Sequence, residues 1–307
     1  RDRAVNQFHI PIDDGAERQA ATLREFQELL DFVRRFVPAA ARKDTPLILK
    51  ATAGLRMVPP ARAEHILQAV RTLFLESEFF FRPHRGWADV IPGNEEAGLA
   101  WVAANYLRKT FDRRFDEVGR MASMGVVEMG GGSSQVVFHV HDPTTLDGVG
   151  ADRRFVFKDF HGHDYNVYAA SYLGFGRDHA LVRFDKTLNH LGSETNPCHT
   201  KGYVAPKGVP QMTGTGEYGA CLARVRELLF NASVPDQPVV IPGPSDVHAP
   251  KSLEGAFYGT EVFYYAREHA PMRGKETWRD FDLSSAKVLE LGNRLCEGGG
   301  GGGGSGS

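Results

Sequence analysis

The stretch VVEMGGGSSQVVF, Val126 to Phe138, constrains this chain more than any other. Two short β-branched runs flank three glycines, two serines and a glutamine. Both runs have strand character, so the unit reads as strand, glycine turn, strand. Dinucleotide and P-loop sites instead lead from a strand through glycines into a helix. Glycine lets backbone amides approach an anion closely, and Ser133, Ser134 and Gln135 add donors beside Gly130, Gly131 and Gly132. Glu128, at the end of the first strand, can hold a divalent cation directly or through water. Taken alone, the same pattern also fits a plain β-hairpin whose glycines only make the turn.

Helix and strand patterns alternate around this hairpin. Leu23, Phe26, Leu30, Val33 and Val37 follow the spacing of an amphipathic helix. PLILKATAG (Pro46–Gly54) reads as a buried strand running into a turn. Pro59 and Pro60 open a second helix with Ile66, Val70 and Leu73 on one face. Asn94 can cap a third, in which Glu95 and Glu96 occupy the first turn and Trp101, Asn105 and Tyr106 form the packing face. RRFVFKDF and YNVYAAS read as strands, GACLARVRELLF and TEVFYYAREH as helices. That order predicts an α/β fold with mixed sheets.

The 307 residues allow one large core or two moderate ones. A net charge of −2 gives no basic surface for nucleic acid. No apolar run approaches the ~18 residues of a membrane span. The opening RDRAVNQFHIP lacks an apolar core, so no signal peptide is expected within this segment. Cys198, Cys221 and Cys296 are too few for a disulfide scaffold and include no CxxC pair. A glycosylation sequon begins at Asn231, which is compatible with a secretory lumen. Residues 297–307, dominated by seven consecutive glycines, read as a flexible linker.

ATAGLR (Ala51–Arg56), GNEEAGLAWVAANYL (Gly93–Leu107) and VVEMGGGSSQ occur in that order with suitable gaps. Together they resemble three motifs of the apyrase family, the nucleoside triphosphate diphosphohydrolases. YAASYLGFGRDHA, NPCHTKGY and GTGEYGACL extend the resemblance from about Thr45 to Cys296. It implies a two-lobed actin-like (ribonuclease H-like) fold, with lobes at 1–106 and 107–296 and the nucleotide in the cleft. It also implies calcium- or magnesium-dependent removal of terminal phosphates from nucleoside tri- or diphosphates. Glu96 then activates the attacking water, Thr52 lies near water and phosphate, and Glu128 supports the metal. Gly130–Gly132, Ser133, Ser134 and Gln135 hold phosphate, Gln135 also serving the reaction. Arg56 either contacts phosphate or closes a turn. The matching family cysteines imply a Cys198–Cys221 disulfide with Cys296 free. The expected location is the secretory pathway: Golgi lumen, cell surface or outside the cell, with a membrane anchor possible in a longer protein.

Three departures from the family pattern stand out. Glu128 replaces the usual aspartate, moving the carboxylate by roughly a bond length. The family's first phosphate hairpin belongs upstream of Arg1, and its last segment belongs beyond Cys296. The expected first lobe is therefore truncated at both ends and the chain alone a poor enzyme. An actin-like polyphosphate phosphatase and a non-catalytic nucleotide-binding remnant are the alternatives. Further features are expected to be structural: GTGEYG lacks a preceding strand for a dinucleotide site, and His139/His141 and His161/His163 read as solvated strand residues. The aromatic run Phe257, Tyr258, Phe263, Tyr264, Tyr265 is expected to pack in a helical core, or else to stack a nucleobase.

Overall fold

The computed structural model describes residues 16–84, 86–111, 123–160, 162–204, 211–229 and 257–268. The chain divides into two compact units, Arg1–Glu96 and Ala97–Ser307. No helix among the described residues is long and apolar enough to cross a membrane.

The first unit contains helices α1 (Ala16–Arg34), α2 (Ala39–Arg42), α3 (Ala53–Arg56) and α4 (Pro60–Leu75). Strands β1 (Leu49–Ala51) and β2 (Ala88–Val90) pair in parallel, with Lys50 opposite Asp89. Helix α5 (Gly93–Leu107) follows β2. Pro60 opens α4 at its first turn, where its missing N–H costs nothing. The buried face of α4 is Ala63, Leu67, Val70, Arg71 and Phe74. Ile66 and Leu73, expected on that face, are half-buried at its flanks. Leu30 of α1 packs with Val70, Phe74, Phe79, Phe81 and Ala88 into one apolar cluster. Outside that core, Glu78 joins two helices: Arg34 lies 2.7 Å from one carboxylate oxygen and Arg42 3.0 Å from the other. The hydrogen bond from Arg34 is the main cause that lowers the Glu78 carboxyl to about 2. The strand expected over Pro46–Gly54 is shorter, because the backbone turns into α3 directly after Thr52.

The second unit is built on a five-stranded sheet of order β5-β6-β4-β3-β9. Its strands are β3 (Gly125–Met129), β4 (Ser133–His139), β5 (Arg154–Phe160), β6 (His163–Leu173) and β9 (Phe257–Glu261). The β3–β9 pair is parallel and the other pairs are antiparallel. One face carries Val126, Val137, Tyr165, Val167 and Ala169 against Ala97 and Trp101 of α5. Trp101 is fully buried, its ring 6.0 Å from Phe157 and 5.4 Å from Phe111. Gly98 lies against this layer: a Cβ there would come 3.1 Å from the Phe157 ring and 3.3 Å from Phe155. Asn105 braces the helix end by donating to the Trp101 and Met124 carbonyls and accepting from the Met124 amide. Tyr106 does not share that face. It is 68% exposed, because one residue past Asn105 is a rotation of about 100° around the helix.

Helices α6 (Arg177–His190) and α7 (Tyr218–Leu229) pack through Phe184, Leu188, Met212 and Leu228. Strands β7 (Thr195–Asn196) and β8 (Thr213–Gly214) form a short parallel pair beside them. Cys198 and Cys221 are joined there, with Cα atoms 4.7 Å apart. Gly214 packs on the Thr200 and His199 carbonyls with no room for a side chain, so this glycine of GTGEYG serves close approach. The segment read as one helix from Thr260 divides differently. Phe257–Glu261 is strand β9, Glu261 turns the chain with a φ of +57°, and helix α8 runs from Val262 to Glu268.

Candidate active site

In the first unit, the candidate residues follow the carboxyl ends of the two parallel strands, the usual ligand end of such an arrangement. Thr52 follows β1, and its carbonyl accepts from the Leu55 and Arg56 amides as α3 begins. Its side chain makes no cap hydrogen bond. Glu96 lies in the first turn of α5 after β2, its amide bonded to the Pro92 carbonyl. The Arg56 guanidinium binds both sides of this turn: Nη2 meets Glu96 Oε2 at 2.7 Å and Nη1 donates to the Ile91 carbonyl at 3.0 Å. The two side chains are only 13% and 15% exposed, so Arg56 does more than close a turn. Glu96 Oε1 has no hydrogen-bond partner among the described residues. Neighbouring Glu95 pairs instead with Lys50 at 3.4 Å.

The glycine stretch in the second unit is a hairpin, with Glu128 opposite Gln135 and Met129 opposite Ser134. Register places Ser171 of β6 beside Gln135, and Thr260 of β9 beside Glu128. Strand alternation puts Glu128, Gln135, Ser171 and Thr260 on the face that carries Val126, Val137 and Ala169. An apolar sheet face thus ends in a polar cluster. Within it, Gln135 is 1% exposed and donates to Ser133 Oγ at 2.7 Å and Ser171 Oγ at 3.2 Å. The Thr260 hydroxyl is buried without a hydrogen-bond partner. Ser134 lies on the opposite face and donates to the Phe175 carbonyl at 2.7 Å, so its hydroxyl is separated from those of Ser133 and Ser171.

The loop closes through the Gly130 amide and the Ser133 carbonyl at 3.0 Å. Its own carbonyls all turn toward one segment. Gly130 accepts from the Arg177 amide at 2.8 Å, Gly131 from Asp178 at 3.0 Å and His179 at 3.2 Å, and Gly132 from Gly174 at 2.8 Å. Ser171, Gly176 and Thr260 carry no separate signal in the sequence. A four-residue rhythm at Ala180, Phe184 and Leu188 marks the helix that follows Gly176. A cavity of about 220 Å³ is lined by Tyr258, Gly259, Thr260, Glu261, Tyr264 and Tyr265. Tyr258 and Tyr264 are about half exposed, so the aromatic run is not simply a helical core.

Among the described residues, no group of three or more His, Cys, Asp or Glu side chains is gathered as a metal cage. His139 stacks on Trp101 at 6.0 Å and meets the His141 ring edge-on at 4.6 Å. Asp142 caps a turn through Thr144, whose hydroxyl and amide lower its carboxyl. Asp164 is likewise lowered, first by the Asp159 amide and then by Lys158. Asn231, Cys296, His161 and residues 297–307 lie outside the described residues.

The GDA1/CD39 (nucleoside phosphatase) family model matches residues 14–298. This chain belongs to that family. An apyrase of Solanum tuberosum is 30% identical over 226 residues, covering 71% of this chain and 47% of the relative. The Golgi apyrase of Saccharomyces cerevisiae is 27% identical over 301 residues, covering 90% and 47% respectively. Ectonucleoside triphosphate diphosphohydrolase 1 of Mus musculus is 26% identical, covering 88% of this chain and 56% of the relative. The chain therefore spans about half the length of these relatives. Among solved structures, a nucleoside triphosphate hydrolase from Neospora caninum aligns with a TM-score of 0.54 at 18% identity, over 82% of this chain and 58% of that one. The fold class is the actin-like α/β class with mixed sheets that the motifs imply.

Proposed function

We propose that this chain supplies the machinery for hydrolysing terminal phosphates of nucleoside tri- or diphosphates in a divalent-cation-dependent reaction. The observation that carries this reading is the polar end of the second unit's sheet face. Buried polar groups in a strand interior are costly unless they are bonded or used. Here a carboxylate, an amide and hydroxyls are gathered beside a glycine loop, in a chain of a nucleoside phosphatase family.

Each group then has a chemical task. In-line phosphoryl transfer to water needs positioning, charge neutralisation and a proton acceptor. Glu96 Oε1 accepts the water proton, while Arg56 fixes the other oxygen and so the direction of the carboxylate. The Thr52 hydroxyl orients water or a phosphate oxygen. The amides of Gly131, Gly132 and Ser133 bind phosphate, and Gln135 holds the loop serine in place. Glu128 and the unpartnered Thr260 hydroxyl form a sparse oxygen set, which suits a hard cation that keeps most of its water. Calcium or magnesium bound there would neutralise charge on the phosphates. The names of the relatives fit a secretory or surface location, and the half-exposed tyrosines fit a stacked base.

Phosphate release from ATP, GDP and UDP with magnesium or calcium tests this reading, run beside Glu96→Gln. The expected result is turnover that needs the cation and collapses in the variant. Release from polyphosphate with none from nucleotides would move the assignment to the polyphosphate class. Nucleotide binding without turnover would make the chain a binding remnant.

A further inference from the structure

The glycine loop is held in one conformation from outside itself. Four backbone N–H groups, at residues 174, 177, 178 and 179, bond to the carbonyls of Gly130, Gly131 and Gly132. In each of these peptide units the carbonyl is committed, and in a planar trans peptide the N–H that follows it, at Gly131, Gly132 or Ser133, points opposite to that carbonyl. Gly176 makes the approach possible. A Cβ there would lie 2.5 Å from Gly131 C, Gly132 N and Ser133 N, which are backbone atoms that cannot swing aside. The φ of Gly176 is −71°, so any residue can adopt its backbone conformation. Only the close contact demands glycine.

We infer that Gly176, with the first turn of α6, is the positioning element of the phosphate loop. This rests on the reading above that the loop holds phosphate. The physical consequence goes beyond shape. A carbonyl that accepts from the start of a 14-residue helix is polarised by the positive end of that helix. Hydrogen bonds in series strengthen one another, so the opposite N–H of the same peptide becomes a better donor to an anion. The peptide units that begin at the Gly130 and Gly131 carbonyls accept from the first turn of α6 and relay the helix field to the phosphate, while the Gly132 carbonyl is held by Gly174 ahead of the helix. Asp178 opposes that field. Its Oδ2 lies 2.8 Å from the position of a Gly131 Cβ, and Arg177 holds its Oδ1 at 2.6 Å.

Gly176→Ala and Asp178→Asn separate positioning from simple stability, because they should move phosphate affinity in opposite directions. A displacement near 1 Å is enough to cost on the order of 10² in such sites, so Gly176→Ala should bind inorganic phosphate at least tenfold more weakly. Asp178→Asn removes a like charge at short range and should bind it roughly 2–5-fold more tightly, the gain fading with salt. Gly192→Ala, strained by its φ of +73° at the far end of α6, is the control that loses stability alone. Calorimetric titration of the folded protein with phosphate reads affinity, and the amide proton shifts of Gly131, Gly132 and Ser133 on phosphate addition read the donors. The inference is overturned if Gly176→Ala merely lowers Tm with unchanged affinity, or if Asp178→Asn leaves affinity unchanged or weakens it. Phosphate binding with this variant pattern but no nucleotide turnover would sink the proposed function and keep the inference. Turnover with no variant effect would do the reverse, and a protein that binds no anion would end both.

Discussion

Glu96 sits on the first turn after a two-stranded sheet whose strands are three residues each, and one guanidinium holds its carboxylate. Gly131 sits in the turn between two strands of a five-stranded sheet, and the carbonyls of Gly130, Gly131 and Gly132 are all bonded back to the chain. The first arrangement depends on charge and on a single side-chain pair. The second depends on backbone geometry and on space that only glycine leaves. A charge-held group responds to pH, salt and conservative substitution. A backbone-held loop keeps its conformation through all three until something intrudes on it. The same contrast extends beyond the site: the first unit ties α1 and α2 together with the partly exposed Glu78 pair, whereas the second buries Trp101 under a sheet.

The largest effect that would sharpen this comparison is at Trp101. Trp101→Ala should destabilise the second unit by about 3–5 kcal/mol through the cavity it leaves. Denaturant unfolding followed by separate probes in the two units should show the loss in the second unit. An equal loss in both would erase the distinction. Next, the Cys198–Cys221 bond closes a loop with a sequence separation of 23. In the chain-entropy model Cys198→Ser costs about 3 kcal/mol, and peptide mapping without reduction should recover the 198–221 pair. Recovery of Cys198 linked to Cys296 would refute the pairing.

Glu96→Gln keeps shape but not basicity, and should lower kcat by roughly 10² while nucleotide affinity hardly changes. Retained turnover would remove Glu96 from the chemistry. Removing its partner tests the charge-held side more directly. Arg56→Met leaves a mostly buried carboxylate unpaired and should destabilise the first unit by about 3 kcal/mol or somewhat less, with kcat falling as well. The smallest effect is at Glu78. Its carboxyl is depressed from 4.5 to about 2, so the stabilisation is present above about pH 4.5 and lost as pH falls toward 2. With 39% of the side chain exposed, solvent screening holds the contribution under about 1 kcal/mol. Glu78→Gln should therefore be slightly less stable than the parent at pH 7 and match it progressively on acidification. A gap that persists undiminished at pH 2 and below would show that the pair contributes through packing.

The contrast also explains what could be read in advance. Glycines between β-branched runs and acidic residues at a helix start are visible as letters, so the hairpin and the start of α5 were accessible from short motifs. What a residue touches across the fold is not visible in that way. Thr260 gained interest only when β9 paired with β3, and FYGTE runs into VFYY with no punctuation to separate strand from helix. Helix α6 carries few apolar residues, with Phe184 and Leu188 buried and charged side chains around them, so its periodicity is faint. Gly176 has an ordinary backbone conformation, and its requirement for glycine comes entirely from a neighbouring loop 44 residues earlier in sequence. Tyr106 shows the opposite error, a large aromatic assigned to a packing face that the helix turns away from the core.

Gly98 sets a limit on how this protein can be improved. Two residues after Glu96, it is the weakest helix former in the interior of α5, and a propensity scale would rank it first for replacement by alanine, with a nominal gain near 1 kcal/mol. Yet the added methyl would press on Phe157 and Phe155 at 3.1–3.3 Å, and either those rings or the helix would have to give. If the helix gives, the carboxylate one half-turn away moves with it. If Glu96 is the base proposed above, thermostability and turnover are then coupled at Gly98, and a screen for heat resistance alone would not register where that carboxylate points.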